Sequence, residues 1–337
     1  MPDLQSDARL QQTLSLALEQ RSPGYVNLVA SSNAILAMLK ENDCFEAFSG
    51  PTIRERLQFD ELGTYVRYAG YRPLVTAPKE LFGDAEFLPK MAAISIQLSN
   101  EEILKNSGAN QLKPLLKSYL KAAEEELQRK FVIDLHSDGT EEYQIGGLQM
   151  ILPTNPASGS YGGISRVDWP KWRTGSYDAN SAFAGITQVT KDTIKTIFDN
   201  ITIDRSLGTK GPNLIACSKE HYLAYTASLV NIQRINDETK LGKMGFQNLR
   251  YYGAGKAIDV VLEGGIGTAM PANRTYFLDV SGALKFRFHP DRNFTQFGGK
   301  QSPINQDAIV QYIGFMGNLT NNNPLHEALL YDSNTSA

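Results

Sequence analysis

Two neighbouring runs of alternating side chains constrain the fold of this chain most. The first run, residues 52–59, predicts a strand with two distinct faces. One face holds Ile53, Glu55, Leu57 and Phe59, and the other holds Thr52, Arg54, Arg56 and Gln58. A turn at 60–63 and a second alternating run at 64–72 complete a long hairpin. Neither face is apolar enough to be buried in its own domain, and a lone two-stranded hairpin is marginally stable in water. We therefore expect the hairpin to lie against something outside the monomer.

The longest helix of the chain is predicted from about Gln111 to Phe131. Its apolar face consists of residues at helical spacing: Leu112, Leu115, Leu116, Tyr119, Leu120, Ala123 and Leu127. At about 1.5 Å per residue the helix is roughly 30 Å long. A strand at 92–98 precedes it, followed by a capping box at Ser99 and Glu102 and a short helix that ends near Gly108. We interpret the long helix as a rod rather than as the wall of a pocket.

Mixed helix and strand patterns continue from Tyr143 onward in a glycine-rich region. Helices are predicted near 190–200 and 218–229, and strands near 214–217 and 258–262. Alternating apolar residues at 284–288 indicate a half-buried strand, whereas the continuous apolar run at 308–316 indicates a strand buried on both faces. The first fifty residues are interpreted as an arm with one short helix at 32–41. The predicted fold class is therefore α+β.

Composition and charge exclude several classes of protein. The chain has 337 residues with 42% hydrophobic content, and no stretch approaches the roughly 20 apolar residues of a membrane span. Cys44 and Cys217 lie far apart, which is typical of a reducing cytoplasm rather than of a disulfide framework. The net charge of −3 disfavours sequence-specific DNA binding, because such proteins usually present a basic face.

Catalytic and cofactor-binding signatures are missing from the sequence. The four histidines, at 136, 221, 289 and 326, have no partner at metal-ligand spacing. The glycine-rich stretch 264–269 is followed by Met270 and Pro271, where a dinucleotide-binding loop needs a small residue that opens a helix. We therefore predict no catalytic residue, no cofactor and no metal site. An enzyme of unrecognised type remains an alternative, which the absence of paired catalytic groups disfavours.

Arginine and tyrosine alternate in the second run of the hairpin, at Arg67, Tyr68, Tyr71 and Arg72. Such residues can stack on single-stranded nucleic acid, but the run follows the acidic pair Asp60 and Glu61. Arginine and tyrosine are also enriched in protein interfaces, and this second interpretation is favoured. Inter-subunit contacts are accordingly predicted at Arg54, Arg56, Arg67, Tyr68, Tyr71 and Arg72.

Three stretches of sequence carry a resemblance to a known family. The first contains Gly146-Gly147-Leu148, then Gly159-Ser160-Tyr161-Gly162-Gly163-Ile164, then Trp172-Arg173. The second is Asn273 to Asp279, and the third is Gly317-Asn318-Leu319-Thr320 with Asn323-Pro324 and Leu330. In this order the motifs resemble those of tailed-bacteriophage major capsid proteins with the Hong Kong 97-type fold. The resemblance covers nearly the whole chain.

The resemblance implies a division of the chain into named parts. Residues 1–50 become the N-arm, 51–84 the E-loop, 85–140 and 303–330 the P-domain with its long spine helix, 141–302 the A-domain, and 331–337 a tail. It further implies a structural subunit that forms hexamers and pentamers and closes into an icosahedral head around double-stranded DNA. A nanocompartment (encapsulin-like) shell protein would share these motifs and is the nearest alternative.

The implied partners are other copies of the chain, a separate scaffolding protein, a portal, a decoration protein, and packaged DNA bound without sequence specificity. Assembly is expected in the host cytoplasm, the protein ends in the virion, and no membrane is involved. Some relatives join subunits by an isopeptide bond from an E-loop lysine. Residues 52–72 contain no lysine, and Lys79 lies next to Pro78, so we expect no covalent cross-link.

Overall fold

The computed structural model describes residues 33–58, 65–71, 82–99, 101, 109–208, 210–229, 248–253, 255–263, 270–301 and 308–334. Within these residues the main elements are two mixed sheets, one long helix and several shorter helices. No helix in this part of the chain is long and apolar enough to cross a membrane. The α+β class predicted from the sequence is confirmed.

A four-stranded sheet and the long helix form the first half of the architecture. Its strands are β1 (Phe45–Ala47), β4 (Lys90–Ser99), β12 (Leu284–Gln301) and β13 (Ala308–Asn321), in the order β1-β12-β13-β4. The long helix, α2 (Ala109–Leu135), packs on one face of this sheet. Within α2, Ala123, Leu127, Phe131 and Leu135 are buried at helical spacing. The predicted helix is confirmed, and it extends four residues beyond Phe131.

Phe131 joins α2 to the sheet through an aromatic cluster. Its ring centroid lies 5.4 Å from that of Phe286, 5.6 Å from that of Phe294 and 5.3 Å from that of Phe315. Phe286 and Phe294 belong to β12 and Phe315 to β13. Edge-to-face packing of this kind adds to the hydrophobic gain from burying the rings. The cluster therefore fixes the last turns of α2 on the two central strands.

A six-stranded sheet forms the second half. Its strands, in spatial order, are β7 (Gly175–Asp178), β14 (Ala328–Tyr331), β11 (Arg274–Leu278), β8 (Leu214–Cys217), β10 (Lys256–Leu262) and β9 (Asn248–Gly253). Helices α4 (Ile194–Asp204) and α5 (Lys219–Ser228) cover one face, and α1 (Ala34–Glu41) contributes to the core on the other. The central strand β8 is apolar at every position because both of its faces are buried.

The hairpin differs from its prediction in the returning strand. β2 (Ile53–Gln58) pairs antiparallel with β3 (Phe82–Phe87), so the prediction that 64–72 is its partner strand is wrong. The described residues of that run, 65–71, form no strand. Alternation alone identified a strand-like pattern but could not choose between two candidate partners, because strand pairing depends on contacts distant in sequence. The prediction that Phe59 continues the first strand lies outside the described residues.

The support of the hairpin also differs from its prediction. Ile53, Glu55 and Leu57 of β2 are buried, and so are Ala85 and Phe87 of β3. This face packs on a small hairpin of the same chain, β5 (Ser160–Tyr161) and β6 (Ile164–Ser165): the rings of Phe87 and Tyr161 lie 5.0 Å apart. The prediction that the hairpin needs support from outside the monomer is therefore wrong for its base. The sequence pattern misled because Glu55 breaks the apolar face, yet it is buried with charged partners.

Most shorter elements were predicted near their observed positions. The strand predicted at 92–98 is β4, those at 214–217 and 258–262 are β8 and the end of β10, and the helices near 190–200 and 218–229 are α4 and α5. In the predicted capping box, the N–H of Glu101 donates to Ser99 Oγ at 3.3 Å, while Glu102 and Gly108 lie outside the described residues. Strand β13 begins at Ala308 and is buried on both faces over most of its length.

Strand pairing groups the chain differently from the predicted boundaries. β12 lies before residue 302 and β13 lies after it, yet the two pair from Leu284–Asn321 to Gln301–Val310. β14, at 328–331, pairs with β7 and β11 of the six-stranded sheet. Short connections at 279–283 and 322–327 carry the chain from one sheet to the other and back.

Candidate assembly surfaces

The base of the β2–β3 hairpin is fixed by a buried charge network. Arg287 Nε on β12 donates to Glu55 Oε1 at 2.6 Å, and the same guanidinium forms an ion pair with Glu46. Thr320 Oγ1 donates to Glu55 Oε1 at 3.1 Å, and Lys285 Nζ donates to Glu46 Oε1 at 2.7 Å. Charge-assisted hydrogen bonds with several partners compensate the cost of burying Glu55. The hairpin therefore leaves the body of the protein in a defined direction.

Glycine at position 162 permits the close approach beneath the hairpin. Gly162 has a φ of +58°, and a Cβ built there would lie 2.8 Å from the ring of Phe87 and 2.9 Å from Ala85 Cβ. Its carbonyl accepts the N–H of Glu86 at 2.9 Å. Gly162 and Gly163 both have positive φ, as the two-residue turn of the β5–β6 hairpin requires. The motif Tyr161-Gly162-Gly163 thus provides the surface on which the base of the β2–β3 hairpin packs.

A tip segment, residues 65–71, carries aromatic side chains into solvent. Tyr65 is 84% exposed, Tyr68 63% and Tyr71 107%. Arg67 is also exposed. Fully exposed tyrosines are costly to leave in water and are enriched in protein interfaces, where the ring is buried and the hydroxyl finds a partner. The tip segment is therefore the strongest candidate for a contact with another chain.

The predicted contact residues fall into two groups in the structure. Arg54 and Arg56 are exposed on the outer face of β2, opposite Glu86 and Asp84 of β3, and Arg54 Nη2 lies 3.0 Å from Glu86 Oε1. Arg67, Tyr68 and Tyr71 belong to the tip segment. Arg72 lies outside the described residues. Tyr65 was not among the predicted contact residues, although it is exposed in the same segment and belongs to the same alternating run.

Two further exposed apolar groups lie elsewhere on the described surface. Leu88 and Met91 are 64% and 66% exposed at the start of β4. Val167 and Trp169 are exposed near Leu325, and the short helical turns that follow Trp169 and precede Glu327 contact each other. Patches of this kind mark sites of protein association more often than isolated apolar residues do.

Two side chains of types that often serve in catalysis, His221 and Cys217, are buried, and burial favours the uncharged form of each. Burial lowers the pKa of His221 to about 4, and its Nδ1 lies 2.8 Å from Thr275 Oγ1. Burial raises the pKa of Cys217 to about 12, so its thiol stays protonated. Within the described residues, no group of three or more acidic, histidine or cysteine side chains is placed to hold a metal ion.

A buried carboxyl lies where the chain crosses between the sheets. Glu327 is fully buried; Asn321 Nδ2 donates to it, and its backbone carbonyl accepts the N–H of Gly175. Burial, followed by the charge of Asp279, raises the pKa of Glu327 well above its ordinary value. Burial, followed by the charge of Glu327, raises the pKa of the nearby Tyr161.

Replacing Glu327 with glutamine should remove a pH dependence of stability. Because the pKa is higher in the folded than in the unfolded chain, the stabilisation is complete below the ordinary value of 4.5 and is lost as pH rises through the raised value. We expect thermal melts of the wild type to show this loss and those of E327Q to lack it, with E327Q the more stable at neutral pH. The exposed variant E86Q is the control. An unchanged pH profile in E327Q would contradict this assignment.

Comparison with solved structures identifies proteins that are similar in fold. The capsid asymmetric unit of cyanophage A-1(L) aligns with a TM-score of 0.63 at 16% identity, over 89% of this chain and 93% of the other. The capsid of a native GTA particle aligns with a TM-score of 0.53 at 8% identity, over 88% and 90%. The holo-SrpI encapsulin complex from Synechococcus elongatus PCC 7942 gives 0.48 at 10% identity, over 85% and 84%. No protein-family model and no curated protein matches the chain.

Proposed function

We propose that this chain, which has the Hong Kong 97-type capsid fold, is a major capsid protein that assembles into an icosahedral phage head around double-stranded DNA. The observation that carries the proposal is the combination of a fixed hairpin base with an exposed aromatic tip segment. A structure that holds a projecting element rigidly and leaves its tip unburied is suited to overlapping a neighbour. The fold alone would not decide this, because one fold can serve several functions.

The two sheets provide a physical division into the parts of such a subunit. We assign 1–50 to the N-arm, except for β1, which we assign to the P-domain because it pairs with β12, and 51–84 to the E-loop, with β3 continuing to Phe87. The P-domain consists of α2 with β1, β4, β12 and β13, and the A-domain of the six-stranded sheet with α4 and α5. This moves β12 into the P-domain and β14 into the A-domain relative to boundaries drawn from sequence alone, because paired strands belong to one sheet.

Assembly into hexamers and pentamers follows from heterologous contacts that close into rings. Each subunit then contributes many modest contacts, and their sum over a large area gives a durable shell. A scaffolding protein, a portal and a decoration protein are proposed as further partners, with assembly in the host cytoplasm and the virion as the final location. DNA is proposed to be enclosed without sequence-specific grip, in keeping with the net charge of −3.

The content of the particles separates a phage head from a nanocompartment. Particles purified from infected cells should contain nuclease-protected double-stranded DNA and band at a density above that of empty shells. Recombinant shells without DNA, opened and extracted, should yield no enzyme cargo. Particles from the native source that lack DNA and carry one abundant enzyme would contradict the proposal and support the nanocompartment.

Reversing the charge of Arg54 and Arg56 to glutamate should impair assembly more than folding. Both side chains are exposed, and an exposed ion pair such as Arg54–Glu86 contributes at most about 1 kcal/mol. The reversal makes a surface of the hairpin that carries both charges wholly acidic, and this should weaken its binding to a neighbouring subunit. Thermal melts and particle counts should be compared with those of K191E/K195E, an exposed pair elsewhere. A collapsed melting temperature with normal assembly of the folded fraction would contradict the expectation.

Subunits in the mature shell should not be covalently linked through the E-loop. An isopeptide bond needs an uncharged amine, and the guanidinium of arginine stays protonated. Residues 52–72 hold arginines and no lysine. Virions boiled in detergent should therefore release a single band near 37.2 kDa. A ladder that survives boiling and reductant would contradict this, and loss of the ladder in K79R would identify Lys79 as its source.

A further inference from the structure

We propose that a cleft at one end of the six-stranded sheet binds a phosphate group. The cleft has a volume of about 500 Å³, which is within the usual range for sites of small ligands. Three segments line it: the loop before β8, the start of β10 and the residues that follow β11. The inference does not depend on the proposed function, because it concerns a single copy of the chain.

Lys256 supplies a cation that the loop before β8 holds in place. Its ammonium group donates to the carbonyl of Lys210 at 2.8 Å. A Cβ built on Gly211 would lie 2.6 Å from Lys256 Nζ, so glycine at this position makes room for the ammonium group. Gly211 also has a φ of +148°, which other residues rarely adopt. An ammonium group has three N–H donors, and the hydrogen bond to Lys210 uses one of them. An anion in the cleft can accept from the others.

The cleft carries more positive than negative charge. Lys210 and Lys256 line it, and Asp279 is the one acidic residue among the described residues of its lining. Asp279 Oδ1 is already engaged, because it accepts the N–H of Ser281 at 3.1 Å and also the Ser281 hydroxyl. Loss of hydration lowers the pKa of Lys256, and the charge of Asp279 opposes this shift without cancelling it. A bound anion would therefore compensate a positive charge that the protein compensates only in part.

Uncharged groups of the cleft are suited to an oxyanion. Gly208 and Gly255 have φ values of +61° and +76°, and no atom lies within 4 Å of a Cβ built on either. Their peptide groups are therefore open to a ligand, and backbone N–H groups in such turns form concave anion sites. Ser206 Oγ lies 2.6 Å from the Cβ position of Gly211, and it makes no hydrogen bond with a described residue. A buried polar atom of this kind indicates a site for water or an ion.

A phosphate group can reach this cleft from two sources, a small phosphate-bearing molecule or the backbone of a nucleic acid. Both present negatively charged oxygens that accept charge-assisted hydrogen bonds from lysine. The chemistry that recognises them is the same, so the experiment has one arm for the phosphate group and one arm for its source.

Thermal melts of the unassembled full-length chain in inorganic phosphate test the site. The reference is sodium chloride at the same ionic strength, because a ligand that binds the folded state raises the melting temperature with its concentration. K256M removes the ammonium group and keeps the stem of the side chain. D279N removes the negative charge and keeps an oxygen that accepts from Ser281. K195M, which replaces an exposed lysine on α4, is the matched control.

We expect the apparent affinity for phosphate to fall at least about tenfold in K256M, through loss of a charge-assisted hydrogen bond. In D279N it should rise about threefold or more, because a repulsion between negative charges is removed. K195M should respond as the wild type does, including the general stabilisation by phosphate that is excluded from protein surfaces. A phosphate response that K256M retains, or that D279N does not increase, would overturn the proposal. If K256M does not fold, D279N decides alone.

Binding of a short duplex DNA, measured by fluorescence anisotropy over a series of salt concentrations, separates the two sources. Weaker DNA binding by K256M than by K195M would assign the cleft to the nucleic-acid backbone. A phosphate response in the melts, together with equal DNA binding by K256M and K195M, would assign the cleft to a small phosphate-bearing molecule.

Discussion

Replacing Phe131 with alanine should lower the free energy of unfolding by about 3–5 kcal/mol, the usual cost of removing a buried aromatic ring. The ring is 5% exposed and contacts three phenylalanines on the two central strands of the four-stranded sheet. Its loss leaves a cavity between α2 and the sheet that neighbouring rings fill only in part. Urea titration of the unassembled chain, followed by far-ultraviolet circular dichroism, measures the change.

The matched control is R129A, two residues earlier on the same helix and exposed. It should change the free energy of unfolding by no more than about 0.5 kcal/mol, as surface substitutions usually do. Equal effects of F131A and R129A would contradict the account, because they would show that α2 is not held on the sheet by this cluster.

Replacing Gly147 with alanine should destabilise the chain by about 3 kcal/mol or more, because the added methyl group has no space. A Cβ at this position would lie 2.5 Å from the Asp134 carbonyl oxygen, 2.6 Å from that of Leu135 and 2.6 Å from the Ser137 nitrogen. All three are backbone atoms at the end of α2, so a rotamer change offers no relief. The melting temperature of G147A should fall sharply, with assembly lost at growth temperature.

The neighbouring Gly146 provides the control. A Cβ there would meet Met150 Sδ at 2.7 Å, which is part of a flexible side chain, and Asn318 Oδ1 at an ordinary 3.6 Å. G146A should therefore cost clearly less than G147A. A larger loss of stability in G146A than in G147A would contradict this account. It would show that the close approach of Gly147 to the backbone at the end of α2 does not limit the side chain at this position.

The motif Gly146-Gly147-Leu148 illustrates what sequence reasoning can and cannot supply. Its position after the long helix was recognisable as a resemblance, but its physical role is not visible in a linear pattern. In the structure the segment 145–149 packs against the residues that follow the end of α2 at Leu135: Ser137 Oγ donates to the Ile145 carbonyl at 2.6 Å, and Gln149 N donates to the Ser137 carbonyl at 3.2 Å. Such contacts satisfy polar groups at a helix end.

Helices and strands whose apolar residues repeat regularly were predicted near their observed positions, because the repeat itself shows which residues are buried. α2 repeats its apolar residues at helical spacing, and the continuous apolar run 214–217 is the central strand β8. By contrast, the returning strand of the hairpin, Phe82–Phe87, contains Gly83, Asp84 and Glu86, and its pattern is weaker than that of 64–72. Pairing was then decided by contacts with Tyr161 and Gly162, distant in sequence, which no local pattern reports.

The candidate surface was predicted in part, and for a physical reason. Exposed arginine and tyrosine in an alternating run indicate an interface, and Arg67, Tyr68 and Tyr71 are indeed exposed together. The buried network of Glu55, Arg287 and Glu46 was not predicted, because Arg287 lies more than two hundred positions from both glutamates. That network holds the base of the hairpin. The charged residues that position the hairpin were therefore not predicted, whereas the exposed residues that the hairpin carries were.

Electron microscopy of the purified chain, combined with sedimentation velocity, tests the central claim most directly. The account predicts closed icosahedral particles built from pentamers and hexamers, formed by the chain with its scaffolding partner, alongside a slowly sedimenting pool of capsomers. A folded chain that sediments as a monomer at every concentration, with scaffold present and no particles on the grid, would contradict it.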